Sequence, residues 1–155
     1  MWRRTWSKHA YAKIILDLRE TYNCMKDTKP DTILHLAARC GGIVANVNSP
    51  ADFIRDNAMM ALNVYEAARA GNVKTVYTIG APCAYPRNCI IPFKEENYMD
   101  GEPEPTSAGY AQAKRTLLML SQTYREQYGI KGAYFIPSNM YGWFDYFDNR
   151  SHVIP

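Results

Sequence analysis

The chain has 155 residues, 47% of them hydrophobic and 21% charged, which fits one ordinary globular domain and argues against disorder. Its longest unbroken apolar run is Ala58–Leu62, far too short to span a membrane, and no signal-peptide core is present, so a membrane partner is not expected. The net charge of +3 arises in residues 1–13, where Arg3, Arg4, Lys8 and Lys13 give +4, and the body at −1 offers no electrostatic reason to bind nucleic acid.

In chain order, residues 1–13 read as an irregular basic start. Ile14–Leu18 is a short apolar run, and Glu20–Lys29 reads as a helix stopped by Pro30. Thr32–Ala38 has a buried-strand pattern and runs into the turn pair Gly41-Gly42. Pro50–Ala70 places Phe53, Ile54, Met60, Ala61, Val64 and Ala68 at helical spacing, with the polar Asn57 among them, and Gly71 closes it. Lys74–Gly80 is a second strand. Residues 82–105 hold five of the nine prolines and read as a long loop. Ser107–Tyr128 is a second long helix stopped by Gly129, and Gly132–Ile136 a third strand running into Pro137-Ser138-Asn139. Strands alternating with crossover-length helices predict an α/β fold with a parallel sheet, which binds ligands at the carboxyl ends of its strands. The informative positions are therefore 37–42, 79–86 and 137–142.

The four cysteines, Cys24, Cys40, Cys83 and Cys89, contain no C-x-x-C pair, so no metal is predicted and reduced thiols in a cytoplasmic setting are the plain reading. His35 lies inside a strand pattern and reads as a packed core histidine. Tyr110 and Lys114 stand at i and i+4 on one helix face. A nearby ammonium favours the phenolate, so this pair is expected to lower the tyrosine pKa and make it a proton donor and acceptor near neutrality. The bare spacing is not specific, since Tyr22 and Lys26 repeat it.

The runs HLAARCGGIVANVNSPADFIRDN (35–57), GAPCAYP (80–86), EPTSAGYAQAK (104–114), PSNMYG (137–142) and SHVIP (151–155) resemble the GDP-L-fucose synthase family, a branch of the extended short-chain dehydrogenase/reductases. The resemblance covers about Ile15 to Pro155. It implies that residues 14–155 form a partial Rossmann-like, doubly wound NAD(P)-binding domain. It further implies an enzyme that epimerises C3 and C5 of GDP-4-keto-6-deoxy-D-mannose and reduces the C4 ketone with NADPH. Carried over by motif, Tyr110 protonates the C4 oxygen, Lys114 holds the nicotinamide ribose, and Cys83 and His152 are the epimerisation acid and base. Ile79, Gly80, Ala81, Pro82, Pro137, Ser138, Asn139, Met140 and His152 match cofactor-lining positions, and Asp17 and Leu18 match the pair that touches the adenine. The partner implied is a GDP-sugar, and a homodimer through the two long helices is the implied assembly.

Two departures bear on activity. The family carries Ser or Thr directly after the strand-exit glycine as a hydrogen-bond donor to the C4 oxygen, whereas this chain has Ala81 followed by Pro82, and Thr78 is too far back in the strand to substitute. No G-x-x-G-x-x-G or G-x-G-x-x-G occurs, so the loop that would hold a pyrophosphate, and the strands beside it, are missing from the pattern. Thr32–Ala38 is then expected to have an unpaired inner edge, and cofactor affinity and turnover of the 155-residue chain are expected to be low. Two further readings stay open. One is another nucleotide-sugar epimerase or dehydratase, which Ala81-Pro-Cys-Ala84 disfavours by offering no acid. The other is a non-catalytic or degenerate relative that acts by association.

Overall fold

The computed structural model describes residues 15–138 and 140. Helix α1, Leu18–Thr28, begins where Asp17 Oδ1 accepts from the Glu20 amide at 3.1 Å and ends at Lys29, whose left-handed backbone (φ 45°) caps the last turn. Strand β1 is Thr32–His35, shorter than the predicted Thr32–Ala38. The chain leaves the sheet after His35 because Arg39 is drawn to the first long helix: its amide donates to Asn57 Oδ1 at 2.9 Å, and its carbonyl accepts from Asn57 Nδ2 at 3.1 Å. The polar residue that interrupts the helical apolar pattern is therefore the anchor of the β1 exit.

The short helix α2, Ile43–Asn48, follows the Gly41-Gly42 pair and is absent from the sequence reading. Helix α3, Pro50–Ala70, matches its predicted bounds; Pro50 opens it, where the missing amide hydrogen costs nothing. Strand β2 is Thr75–Ile79, with Val76 and Thr78 buried in strict alternation. Residues 82–105 form the expected loop, containing 3₁₀ turns at Pro82–Ala84 and Glu95–Asn97, with a third at Pro105–Ser107 leading into the next helix. Helix α4, Ala108–Tyr128, ends at Gly129 in the left-handed conformation. Strand β3 is only Tyr134–Phe135, because the bridge begun by Lys131 opposite Thr75 is interrupted at Gly132.

The sheet is parallel throughout, in the order β1-β2-β3, with Thr32 opposite Thr75 and Thr78 opposite Tyr134. Among the described residues β1 pairs with β2 alone. Helices α3 and α4 pack on one face around Ala61, Val64, Tyr65, Ala68, Val76, Leu117 and Ile130. They approach closely at Gly109, where a Cβ would lie 2.6 Å from the Pro50 carbonyl oxygen. On the other face, Leu34 and Phe135 are exposed among the described residues. The architecture is the α/β, parallel, Rossmann-like arrangement the alternation predicts. No described helix is long and apolar enough to cross a membrane.

Candidate active site

The exits of β1, β2 and β3 and the N-terminus of α4 enclose a cavity of about 390 Å³. Its walls include Ile79, Gly80, Ala81, Pro82 and Cys83 from the β2 exit, Tyr110 from α4, and Pro137, Ser138 and Met140 beyond β3. The structure thus gathers most of the predicted site residues in one place. Gly41, Gly42, Ile43, Asn46 and Ser107 complete the wall. A larger open hollow of about 550 Å³ lies beside Tyr22, Lys26 and Lys29, between the ends of α1 and α3; none of the motif residues lines it. The smaller cavity is where the chemistry-bearing side chains converge.

Lys114 stands behind this wall. Its Nζ is buried, donates to the Ile79 carbonyl at 2.7 Å and lies 5.5 Å from the centre of the Tyr110 ring. Burial pulls the lysine below its ordinary value, opposed by the Cys40 and Cys83 thiols. The same burial pushes the Tyr110 phenol well above its ordinary value, and negative charge on the Cys40 and Cys83 sulfurs acts in the same direction. The lowering expected from Lys114 does not prevail in this structure, because the ammonium sits over the ring face and spends a hydrogen bond on Ile79. Burial also raises the Cys83 thiol, with Ser107 and Lys114 partly offsetting it, so Cys83 rests as a protonated donor.

Gly80 allows a close crossing at the β2 exit: a Cβ there would lie 2.4 Å from the Tyr134 ring. Across this gap the Tyr134 hydroxyl donates to the Lys114 carbonyl at 2.8 Å and pairs with the Tyr98 hydroxyl at 2.8 Å. Tyr98 in turn accepts from the Ala81 amide at 3.3 Å. Ala81 therefore has neither a side-chain donor nor a free amide to offer the cavity. Thr78 is fully buried and lies in the strand interior, outside the cavity wall, so it does not replace the missing hydroxyl.

His35 is buried, as expected of a core histidine, and its pKa is lowered to about 4 by burial and then by Lys114. Asp17 serves as the N-cap of α1, and neither it nor Leu18 lines the cavity. His152, Asn139 and the basic segment 1–13 lie outside the described residues. Among the described residues no group of acids, histidines and cysteines forms a metal site, and all four cysteines are free thiols. The residue that sequence reasoning set aside is Cys40, whose Sγ lies 3.6 Å from the Tyr110 hydroxyl.

Residues 3–155 match the NAD dependent epimerase/dehydratase family. A GDP-L-fucose synthase of Sinorhizobium fredii is 42% identical over 128 residues, which cover 82% of this chain and 41% of that protein. A GDP-L-colitose synthase of Yersinia pseudotuberculosis is 37% identical, over 91% of this chain and 46% of its own length. Among solved structures, a GDP-L-fucose synthetase from Naegleria fowleri bound to NADP superposes with a TM-score of 0.83 at 29% identity, over 90% of this chain and 44% of that one. The chain spans about half the length, or less, of the relatives it matches.

Proposed function

The chain belongs to the NAD dependent epimerase/dehydratase family, and on that premise we propose that it acts on a GDP-linked 4-keto-6-deoxy sugar, epimerising C3 and C5 and reducing C4 to give GDP-L-fucose. The observation that carries the reading is the single cavity that unites Tyr110 and Cys83 with the β2 and β3 exits, with Lys114 buried directly behind. The wall fits a nicotinamide, since Ile79 and Pro137 are apolar and Gly80 and Ala81 present backbone without bulk. NADPH supplies the hydride when bound. Tyr110 gives its proton to the carbonyl oxygen, and the raised phenol keeps that proton in place until the oxygen becomes basic. Lys114, tied to Ile79, fixes the distance between α4 and the strand exit.

For the epimerisation, a carbon beside a ketone loses a proton to a base on one face and regains one on the other. Cys83 is the protonated thiol on the cavity wall, and His152 is its proposed partner. Deuterium exchange tests this step without hydride. In D₂O, GDP-4-keto-6-deoxy-D-mannose incubated with the chain gains deuterium at C3 and C5 by NMR, and Cys83→Ala abolishes the gain. No exchange with the unaltered chain overturns the reading. The relatives include a GDP-L-colitose synthase, so a different GDP-linked 4-keto sugar is the second reading, separable by comparing the two substrates side by side.

We further propose a homodimer through α3 and α4 in a reducing, cytoplasmic setting. Met59, Leu62 and Met119 leave apolar side chains exposed on these two helices, and the four cysteines are free.

A further inference from the structure

Cys40 ends the loop that leaves β1, immediately before the Gly41-Gly42 pair. That loop is held at two points. Arg39 exchanges two hydrogen bonds with Asn57 and pairs with Asp56 at 2.7 Å. Asn46 Nδ2 donates to the carbonyls of Gly41 at 2.8 Å and Gly42 at 3.1 Å. Asn46 is itself 6% exposed, and its Oδ1 has no partner among the described residues, an acceptor suited to a donor on a bound molecule. The thiol between these anchors is consequently presented in a fixed place, 3.6 Å from the Tyr110 hydroxyl.

When Tyr110 passes its proton to a carbonyl oxygen, a phenolate is left in a buried site that disfavours it. A donor beside the phenolic oxygen offsets that cost. Ala81 and Pro82 offer no side-chain donor, the Ala81 amide is committed to Tyr98, and the Lys114 ammonium is committed to Ile79. Cys40 Sγ is the group in hydrogen-bond contact with the Tyr110 hydroxyl, and either of the two can donate. We propose that Cys40 is a positioning residue for Tyr110, its S–H donating to the phenolic oxygen and supporting the charge that forms there during reduction.

This rests on the reduction reading above. Cys83 from the β2 exit, Tyr98 from the long loop, Tyr134 from β3 and Lys114 from α4 also face this hydroxyl and stay in place when Cys40 alone is changed.

The test uses Cys40→Ala and Cys40→Ser in the full chain, with NADPH and GDP-4-keto-6-deoxy-D-mannose. Cys40→Ala is expected to lower kcat about tenfold, the worth of one hydrogen bond, with KM unchanged. Cys40→Ser keeps a donor at this position, so it restores kcat to within about threefold. A Cys40→Ala kcat equal to that of the wild type overturns the proposal. In parallel, the S–H stretching band lost in Cys40→Ala is expected to shift to higher frequency in Tyr110→Phe, because the acceptor is gone. If the unaltered chain shows no turnover, the proposed function fails on its own, and the S–H band then decides the role of Cys40: an unchanged band in Tyr110→Phe overturns it.

Discussion

His35 shows how a single buried side chain sets a pH limit. Its folded pKa of about 4 lies below the ordinary histidine value of 6.5, so between these values the unfolded chain binds a proton that the folded chain refuses. The stability it contributes is complete above about pH 6.5 and is lost as pH falls toward 4, amounting to roughly 3 kcal/mol. Urea midpoints measured from pH 7 to 4.5 should fall steeply in the wild type and less steeply in His35→Gln. Lys114 is the smaller of the two causes, after burial. Lys114→Met should therefore raise the His35 pKa part of the way toward 6.5, read from the imidazole NMR shift; an unchanged shift would mean that the ammonium does not reach the ring. The sequence made His35 legible as a core residue, because a histidine in an apolar strand run is packed unless something binds it. It also brought Tyr110, Cys83, the 79–82 segment and Pro137, Ser138 and Met140 to one site through motif order. It did not reveal Cys40, seventy residues from Tyr110, because that contact depends on how Arg39 and Asn57 fold the loop back. The rise of the Tyr110 phenol was hidden for a similar reason. Helical spacing places Lys114 on the right face, but only the packed structure shows that its ammonium is turned to Ile79.

Helix α4 owes its hold on the long 82–105 loop to one buried cation. The Arg115 guanidinium donates to the carbonyls of Ala84 at 2.8 Å, Gly101 at 2.7 Å and Asp100 at 3.0 Å. Around it, Ala84, Tyr85, Tyr98 and Ala111 form a second small core. Arg115→Ala would strand three carbonyls and should cost about 3 kcal/mol by denaturant unfolding, with faster proteolytic cleavage within 86–101. Arg115→Lys should recover little, since an ammonium cannot span three acceptors arranged for a planar fork. A cleavage rate unchanged by Arg115→Ala would show that the aromatic cluster holds the loop alone. The prolines marked this segment as loop, but nothing in its pattern marked Arg115 as its anchor, for an arginine at a helical position reads as a solvated face. The bounds of α3 and α4 were legible from Pro50, Gly71 and Gly129, residues whose backbone chemistry starts or stops helices. Strand ends were not legible. β1 stops at His35 because Arg39 is bound by Asn57, a partner distant in sequence, and β3 shrinks because Gly132, at its own start, interrupts its ladder.

On the scale of the whole molecule, two of the surfaces formed by the described residues could receive a second copy, and they lead to different experiments. One is the outer side of α3 and α4, where Met59, Leu62 and Met119 are 42–47% exposed. The other is the uncovered sheet face, where Leu34 and Phe135 are 59% and 49% exposed. Two copies meeting through α3 and α4 would form a four-helix contact of the isologous kind, which closes after two subunits. A sheet face beside a strand edge offers no such closure and tends toward open association. Leu62 is half-exposed, so Leu62→Lys should change the thermal midpoint little while placing two like charges near the two-fold axis of the proposed dimer. Light scattering on the eluting protein should then give a dimer for the wild type and a monomer for Leu62→Lys, with circular dichroism unchanged. Leu34→Lys should leave the dimer intact. The reverse pattern would move the interface to the sheet. Because the candidate cavity opens at the strand ends rather than on the α3–α4 surface, dissociation by Leu62→Lys should leave deuterium exchange at C3 and C5 of the sugar undiminished. A loss of exchange in the monomer would instead mean that the second subunit stiffens α4 and, through Lys114, the site itself.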